Sequence, residues 1–311
     1  MRKIRLFHNP AAGKRSNRYS KEIDEAVSVF EKAGVEVSVH TLQQSISATE
    51  EIRAAIVEGC DAVFACGGDG TIHGLIQGLV GTNVALGVIP MGTANALAHD
   101  IKVPISSSRA AAQAALKAKE RRISVGRIEY RTLDGAPASR YFMIAAGIGM
   151  DAAMFHAVDP RTKVRFGMAA YYAAAWRLWF LHQMNFFWAE YDGRPERYSL
   201  TQLLAVRISN FGGLLRNLAP GASLERNDFR LVMCGTNSKL SYLNYVLRGI
   251  VGTNWKISGI ETLFSSEVSC GYTAANEANL KIYVEADGEL LGTLPAKISI
   301  VPDALTLLSP D

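Results

Sequence analysis

The run Cys66-Gly67-Gly68-Asp69-Gly70-Thr71 sits between two patterns of different period. Ahead of it, Ala62-Val63-Phe64-Ala65 is a short apolar run bounded by turn residues, the signature of a strand buried on both faces. Behind it, Ile72 to Leu79 carries Leu75, Ile76 and Leu79 at helical spacing. The spacing predicts strand, glycine turn, helix. Such a turn leaves backbone N–H groups without partners and aims them, with the positive end of the helix dipole, at whatever lies in front, which makes an anion site. The glycines lack Cβ atoms, so the backbone can approach a phosphate closely. Asp69 is the odd member. A carboxylate among phosphate-seeking N–H groups repels the ligand unless a divalent cation or a reacting hydroxyl lies between them. A plain tight turn with a capping Asp is the competing reading, and the full Gly-Gly-Asp-Gly-Thr at a strand-to-helix junction weighs against it.

Outward from this turn the same alternation continues. Ile4 to Phe7 reads as a first strand, followed by a turn through Asn9, Gly13 and Lys14 and a helix with Ile23, Ala26, Val27, Phe30 and Ala33 on one face, ended by Gly34. Val35, Val37 and Val39 alternate as a strand, and Ser47-Ala48-Thr49-Glu50 has capping-box spacing for a helix closed by Gly59. Ala85 to Ile89 is another buried strand, leading through Pro90-Met91-Gly92-Thr93-Ala94-Asn95 into a short helix, Ala96 to Asp100, and a further helix spans Arg109 to Lys119. Strands and helices at this spacing predict a mostly parallel sheet covered on both faces, with ligands beyond the C-terminal strand ends. That edge would gather Asn9 to Lys14, Thr41, Gly67 to Thr71 and Pro90 to Asn95.

From about Ile123 the grammar changes to short strand-like runs, Arg127 to Tyr130, Leu203 to Ile208, Phe229 to Cys234, Lys281 to Val284 and Lys297 to Val301, separated by Gly, Pro and Asn. This predicts an antiparallel, sandwich-like second domain. The expected domains are 1–124, with 302–311 free to pack back on it, and 125–301. One segment departs from the pattern. Phe166 to Trp188 is apolar and aromatic, but Arg177, His182 and Gln183 interrupt it, and a mid-membrane charge costs several kcal/mol, so it is not read as a spanning helix. It is either an aromatic helix facing a core or one bordering an apolar cleft or the bilayer interface.

The bulk numbers exclude some classes. With 311 residues the chain can bury about three quarters of its unfolded surface without staples. Its four cysteines form neither a zinc pattern nor a disulfide framework, which fits a reducing compartment. Met1 to Phe7 starts with charge but has no apolar core behind it, and reads as a strand rather than a leader. A formal charge of +4 is too mild to argue for nucleic acid, though it suits an anionic membrane surface.

Taken together, Asn9-Pro10 with Gly13-Lys14, Gly67 to Thr71, Pro90 to Asn95 and Ala286-Asp287-Gly288-Glu289 resemble the diacylglycerol kinase catalytic-domain superfamily, which includes bacterial diacylglycerol kinases, sphingosine kinases and ceramide kinase. The resemblance runs nearly end to end, through Ala145 to Asp151, Lys163 with Gly167 and Tyr171, Asn210 to Gly213, Pro220-Gly221-Ala222 and Gly292 to Pro295. Gly-Gly-Asp-Gly-Thr alone is shared with NAD kinases and phosphofructokinases; the ordered set is far more specific. The resemblance implies an α/β N-terminal domain and a C-terminal antiparallel β-sandwich, with ATP bound between them and its γ-phosphate passed to a lipid hydroxyl with the help of Mg²⁺. By resemblance, Asn9, Gly13, Lys14, Thr41, Gly67, Gly68, Gly70, Thr71, Thr93 and Asn95 hold the nucleotide, and Lys163 or Arg165 reaches the phosphates. Asp69 and Glu289 serve the catalytic Mg²⁺. Asp287 matches the family residue proposed as general base, with Asp69 the other candidate for the hydroxyl proton. Asp151 matches the headgroup contact of sphingosine kinases. Glu225, Asp228 and the Arg230 carbonyl match a structural Mg²⁺ loop of some bacterial relatives.

The departures are specific. His73-Gly74 stands where many bacterial members have Asn-Glu, Asn95-Ala96 where they have Asn-Asp, and Ser124 where Asp is common. Asn95-Ala96-Leu97-Ala98 looks more like the sphingosine and ceramide kinase version. Arg226 adds a repelling charge to the structural metal loop. Three readings therefore compete: a lipid kinase held peripherally at the inner face of the cytoplasmic membrane, which the resemblance allows to be a homodimer; a kinase of a soluble nucleotide or sugar, NAD kinase-like; and a non-catalytic lipid- or nucleotide-binding module.

Overall fold

The computed structural model describes residues 1–9, 16–42, 48–150, 152, 184–211, 219–251, 257–274 and 280–310. They form two compact units, Met1–Val125 with Asn210–Gly212 and Pro302–Asp311, and Gly126–Ser209 with Gly213–Val301.

The first unit is α/β. Strands β1 (Lys3–His8), β2 (Glu36–Thr41), β3 (Ala62–Gly67) and β4 (Ala85–Pro90) pair in parallel in the order β2-β1-β3-β4. All six positions of β3 and of β4 are buried, which is why both read as unbroken apolar runs. Helices α1 (Ser16–Lys32) and α5 (Ser108–Lys117) pack together, as do α2 (Ala48–Val57) and α3 (Asp69–Leu79). Of the face expected of α1, Ile23, Ala26 and Phe30 are buried and Val27 is half-buried, with the Phe30 ring 4.9 Å from that of Phe64 on β3, while Ala33 falls beyond the helix end and is exposed. Gly34 and Gly59 end α1 and α2 at positive φ. The Ser107 hydroxyl accepts the Ala110 N–H and starts α5, whose expected last residue, Lys119, instead opens β5 (Lys119–Arg131). Because β2 lies on one side of β1 and β3 on the other, the chain reverses its winding between β1 and β3. Strand pairing sets His8 beside Thr41 and Cys66, and Gly67 beside Pro90, along one edge. That edge is where ligands of open parallel sheets bind.

The second unit is antiparallel. One sheet runs β12 (Ile260–Ser265), β11 (Phe229–Cys234), β10 (Gln202–Val206), β7 (Ala145–Gly149), β14 (Tyr283–Ala286), β15 (Glu289–Ser309). A second set joins β9 (Tyr198–Leu200), β8 (Phe187–Tyr191) and β13 (Glu267–Tyr272) to β15, which also takes β5 and its hairpin partner β6 (Pro137–Phe142). Phe142, Ile148, Phe187, Leu203, Phe229, Val268, Val284 and Ile298, from both sets, share one core. This is the sandwich that the short, turn-punctuated runs predict.

Two expectations change. Phe187 and Trp188 belong to strand β8 and not to a helix, because alternate residues of that strand, Phe187, Ala189 and Tyr191, face the core; the rest of the aromatic segment up to residue 183 lies outside the described residues. Helices α4 (Ala96–Asp100) and α6 (Lys239–Val251) are the remaining ones among the described residues, and α6 falls in a region read as strands and turns. Its signals were present: the Ser238 hydroxyl accepts the Ser241 N–H, and Leu240, Leu243 and Leu247 recur at helical spacing. Among the described residues, no helix is long and apolar enough to cross a membrane. All four cysteines are free and buried.

Candidate active site

In the first unit the glycine turn and the loop after β4 are built against each other. A Cβ on Gly92 would fall 2.4 Å from Gly68 Cα, so only two glycines let these loops touch. The Met91 N–H bonds to Gly67 O at 2.9 Å, and Asn95 holds the second loop by its amide, accepting the Gly92 N–H at 2.9 Å and donating to Gly92 O at 3.0 Å. Asn95 sits at φ 50, a left-handed conformation that Asn tolerates better than most residues. Thr93 is exposed in the loop after β4, and Gly70 is exposed in the first turn of α3.

Asp69 has partners that its neighbours in sequence do not reveal. Its carboxylate accepts the N–H groups of Ala96 and Leu97 at 3.1 and 3.2 Å, capping α4 from a distance of 27 and 28 residues along the chain. The charge that looked misplaced among N–H groups is thus offset by the N-terminus of another helix. Thr71 is different. Its hydroxyl oxygen is buried without a hydrogen-bond partner, and it lies where a Cβ on Gly67 would be only 2.2 Å away. An orphaned hydroxyl at the first turn of α3, in a cradle that only glycine permits, fits a phosphate oxygen as its acceptor. Thr71→Val is therefore expected to hold or raise the unfolding midpoint, since it removes an unsatisfied buried polar atom, while weakening nucleotide binding about tenfold. Calorimetric titration with ATP beside a thermal melt checks both, and a lowered midpoint with unchanged affinity would show a structural hydroxyl instead.

At the same edge, Thr41 Oγ1 lies 2.9 Å from His8 Nε2, and burial pulls the His8 imidazole below its ordinary pKa. Asn9 follows directly. Gly13 and Lys14 lie outside the described residues, as do Asp151, Lys163 and Arg165.

In the second unit, Asp287 and Gly288 form the two-residue turn between β14 and β15, both at positive φ as a type I′ hairpin requires. The Asp287 carboxylate accepts three backbone N–H groups, from Met143 at 3.0 Å, Ile144 at 2.8 Å and Ala145 at 3.1 Å, and its own N–H returns to Ala145 O at 2.8 Å. It is fastened to the start of β7. Glu289 is exposed on the far side of the turn. A third carboxylate, Glu285, was not anticipated. It is 4% exposed, its Oε2 accepts the Gly288 N–H at 3.0 Å, and its side chain fills the space that a Cβ on Gly147 would take. Alternation along β14 sets it on the face opposite the core residues Val284 and Ala286, where a Glu ordinarily reads as solvent-facing.

The expected structural Mg²⁺ set does not fit. Asp228 is held by Arg226 through two bonds, Nε to Oδ1 at 2.6 Å and Nη2 to Oδ2 at 2.5 Å. Arg230 lies within β11, opposite Val206 and Phe264, and its guanidinium donates to Thr262 Oγ1 at 2.7 Å. The carbonyls of the loop are taken by another cation. Arg207, 0% exposed, donates to Leu224 O at 3.2 Å, to Arg226 O at 2.7 Å and to Asp228 O. Burial pulls the Arg207 guanidinium down to about 10 while the neighbouring Asp228 raises it, so it stays charged at neutral pH. A guanidinium thus holds carbonyls of the loop to which the resemblance assigns a metal, and Glu225 is exposed.

The sequence matches the family model described as the diacylglycerol kinase catalytic domain over residues 3–128, and the YegS C-terminal NAD kinase beta sandwich-like domain over residues 144–309. This chain belongs to the diacylglycerol kinase catalytic-domain family, with a YegS-like C-terminal domain. It is 26% identical over 303 residues to the diacylglycerol kinase of Bacillus subtilis, covering 96% of this chain and 93% of that one. It is 24% identical over 314 residues to a diacylglycerol kinase of Staphylococcus aureus, covering 100% and 93%. In fold it is similar to the crystal structure of a Bacillus anthracis chain described as a diacylglycerol kinase, with a TM-score of 0.76, 18% identity and coverage of 99% and 95%. It is also similar to yeast NADH kinase, with a TM-score of 0.54, 12% identity and coverage of 100% and 84%. Membership of the diacylglycerol kinase family makes the chain a kinase by descent, with the Gly67–Thr71 turn inside the first matched region.

Proposed function

We propose that this chain is an ATP-dependent lipid kinase, moving the γ-phosphate onto a hydroxyl of diacylglycerol or of a sphingoid- or ceramide-like lipid. The observation that carries the reading is the buried, unpartnered Thr71 hydroxyl at the first turn of α3, set in the Gly67–Gly68 cradle against Gly92. Descent from the diacylglycerol kinase family supports the lipid acceptor. Phosphoryl transfer asks the protein mainly for positioning and charge neutralisation. The backbone of Gly67 to Thr71 and of Met91 to Asn95 would hold the phosphates, with Asn9, Thr41 and, by resemblance, Gly13, Lys14, Lys163 and Arg165 around the nucleotide. Mg²⁺ arriving with ATP would neutralise phosphate charge, and Asp69 and Glu289 are the carboxylates proposed to meet it. Asp287 or Asp69 would accept the hydroxyl proton, and Asp151 would contact the headgroup. The reaction would take place at the inner face of the cytoplasmic membrane.

The test is transfer of labelled γ-phosphate from ATP with Mg²⁺ to diacylglycerol, monoacylglycerol, phosphatidylglycerol, sphingosine and ceramide in mixed micelles. A labelled lipid is the expected product, and a sphingoid product would tie Asn95-Ala96 to acceptor choice. Label on NADH or a free sugar with none on any lipid would overturn the reading in favour of a soluble acceptor.

A further inference from the structure

Helix α6 turns two tyrosines toward the sheet and two leucines outward. The Tyr242 hydroxyl accepts the Gln202 side-chain N–H at 2.8 Å, and Tyr242 and Tyr245 line a narrow pocket with Leu204, Val232 and Ile260. Leu240 and Leu247 face outward, while Leu243 is half-buried. Leu240 is 77% exposed and Leu247 is 51% exposed. Seven residues make about two helical turns, so both side chains leave the same face, with exposed Asn244 between them. The other large exposed apolar side chains among the described residues, Met1, Val39, Val57, Ile105 and Leu133, stand singly on separate segments, which is ordinary.

The charges on α6 have one sign. The helix sequence holds Lys239 and Arg248 and no acidic residue. Arg248 Nε donates to Asn244 Oδ1 at 3.0 Å, which sets that cation at the border of the leucine face. Paired leucines between cations describe a helix that lies in a lipid interface, with the apolar side chains below the headgroups and the cations level with the phosphates. A second copy docked through this face would set Lys239 and Arg248 of one helix against those of the other, with no carboxylate on either helix to offset them.

We propose that α6 is the element by which the protein rests on an anionic lipid surface, through Leu240, Leu247, Lys239 and Arg248. This rests on the lipid-kinase reading for its purpose, and it names a docking element separate from the Phe166–Trp188 segment.

Sedimentation of the full chain with phosphatidylcholine vesicles, with and without phosphatidylglycerol, tests it. The wild-type protein is expected to pellet with the anionic vesicles, less so as salt rises. Leu240→Ser with Leu247→Ser is expected to weaken that binding about tenfold or more while leaving the unfolding midpoint in place, because both side chains are exposed. Lys239→Gln with Arg248→Gln is expected to weaken binding about tenfold on anionic vesicles only. Failure of the wild-type protein to pellet, equal binding by the leucine variant, or a lowered midpoint would each overturn the proposal. A dimer that the leucine variant splits, with vesicle binding unchanged, would give the face to a second copy. Loss of vesicle binding in that variant without any lipid phosphorylation by the wild type would leave the docking standing and remove the kinase reading. Lipid phosphorylation with unaltered vesicle binding would do the reverse.

Discussion

Arg207→Met is expected to destabilise the protein by about 3 kcal/mol or more, the low end of the cost of leaving the carbonyls of Leu224, Arg226 and Asp228 without a donor. The side chain is fully buried, so water cannot simply replace it. The backbone N–H of Arg207 also bonds to Ile144 O at 2.9 Å, and Ile144 in turn donates to Asp287. Damage at the loop is therefore expected to reach the Asp287 turn, lowering turnover as well as the denaturation midpoint. Arg207→Lys should recover part of the loss, since an ammonium brings donors but not the planar fork that spans several carbonyls. Because the Arg207 guanidinium holds carbonyls of this loop, a chelator is expected to leave the unfolding midpoint of the wild-type protein unchanged. Denaturant melts of the two variants and a melt of the wild type with EDTA check these outcomes. A wild-type midpoint that drops by several degrees in EDTA and returns with Mg²⁺ would restore the metal.

The sequence was most legible where burial is two-sided. Strands β3 and β4 are apolar at consecutive positions because helices cover both faces, and their expected and observed ends differ by one or two residues. Helix α4 is bounded as expected, Ala96–Asp100. Partnership was not legible. The acceptors and donors that hold Asp69 and Asp287 are backbone groups 27 residues away in one case and over 140 in the other, and a backbone N–H carries no residue signature. Arg207 reads as a charge at a strand end, which is normally solvated; only the fold reveals three carbonyls converging on it. Strand β15 reads as separate short runs because Gly292, Pro295 and Pro302 punctuate it, yet those residues lie inside one 21-residue strand. A strand can carry prolines where its N–H faces away from a partner, so the punctuation ended nothing.

Asp287→Asn is expected to lower kcat about 10³-fold, within the range that a positioned base contributes, with only a modest fall in stability. The substitution is clean for a backbone reason. Residue 287 sits at φ 50, which Asn tolerates and Ala does not, so the type I′ turn is expected to survive. Asn keeps one oxygen for the N–H groups of Ile144 and Ala145, but it turns an NH₂ toward the Met143 N–H, where the carboxylate accepted a bond, at a cost of about 1–3 kcal/mol. If fastening β7 were the only task of Asp287, the midpoint would fall and kcat of the folded enzyme would stay within about tenfold of wild type. Asp69→Asn separates the two candidates for the proton, since it also keeps one acceptor for the α4 N-terminus. A larger kcat loss in Asp69→Asn than in Asp287→Asn, with KM for ATP unchanged in both, would move the base to the glycine turn. The reverse order, with KM for ATP raised only in Asp69→Asn, assigns the proton to Asp287 and leaves Asp69 with the nucleotide.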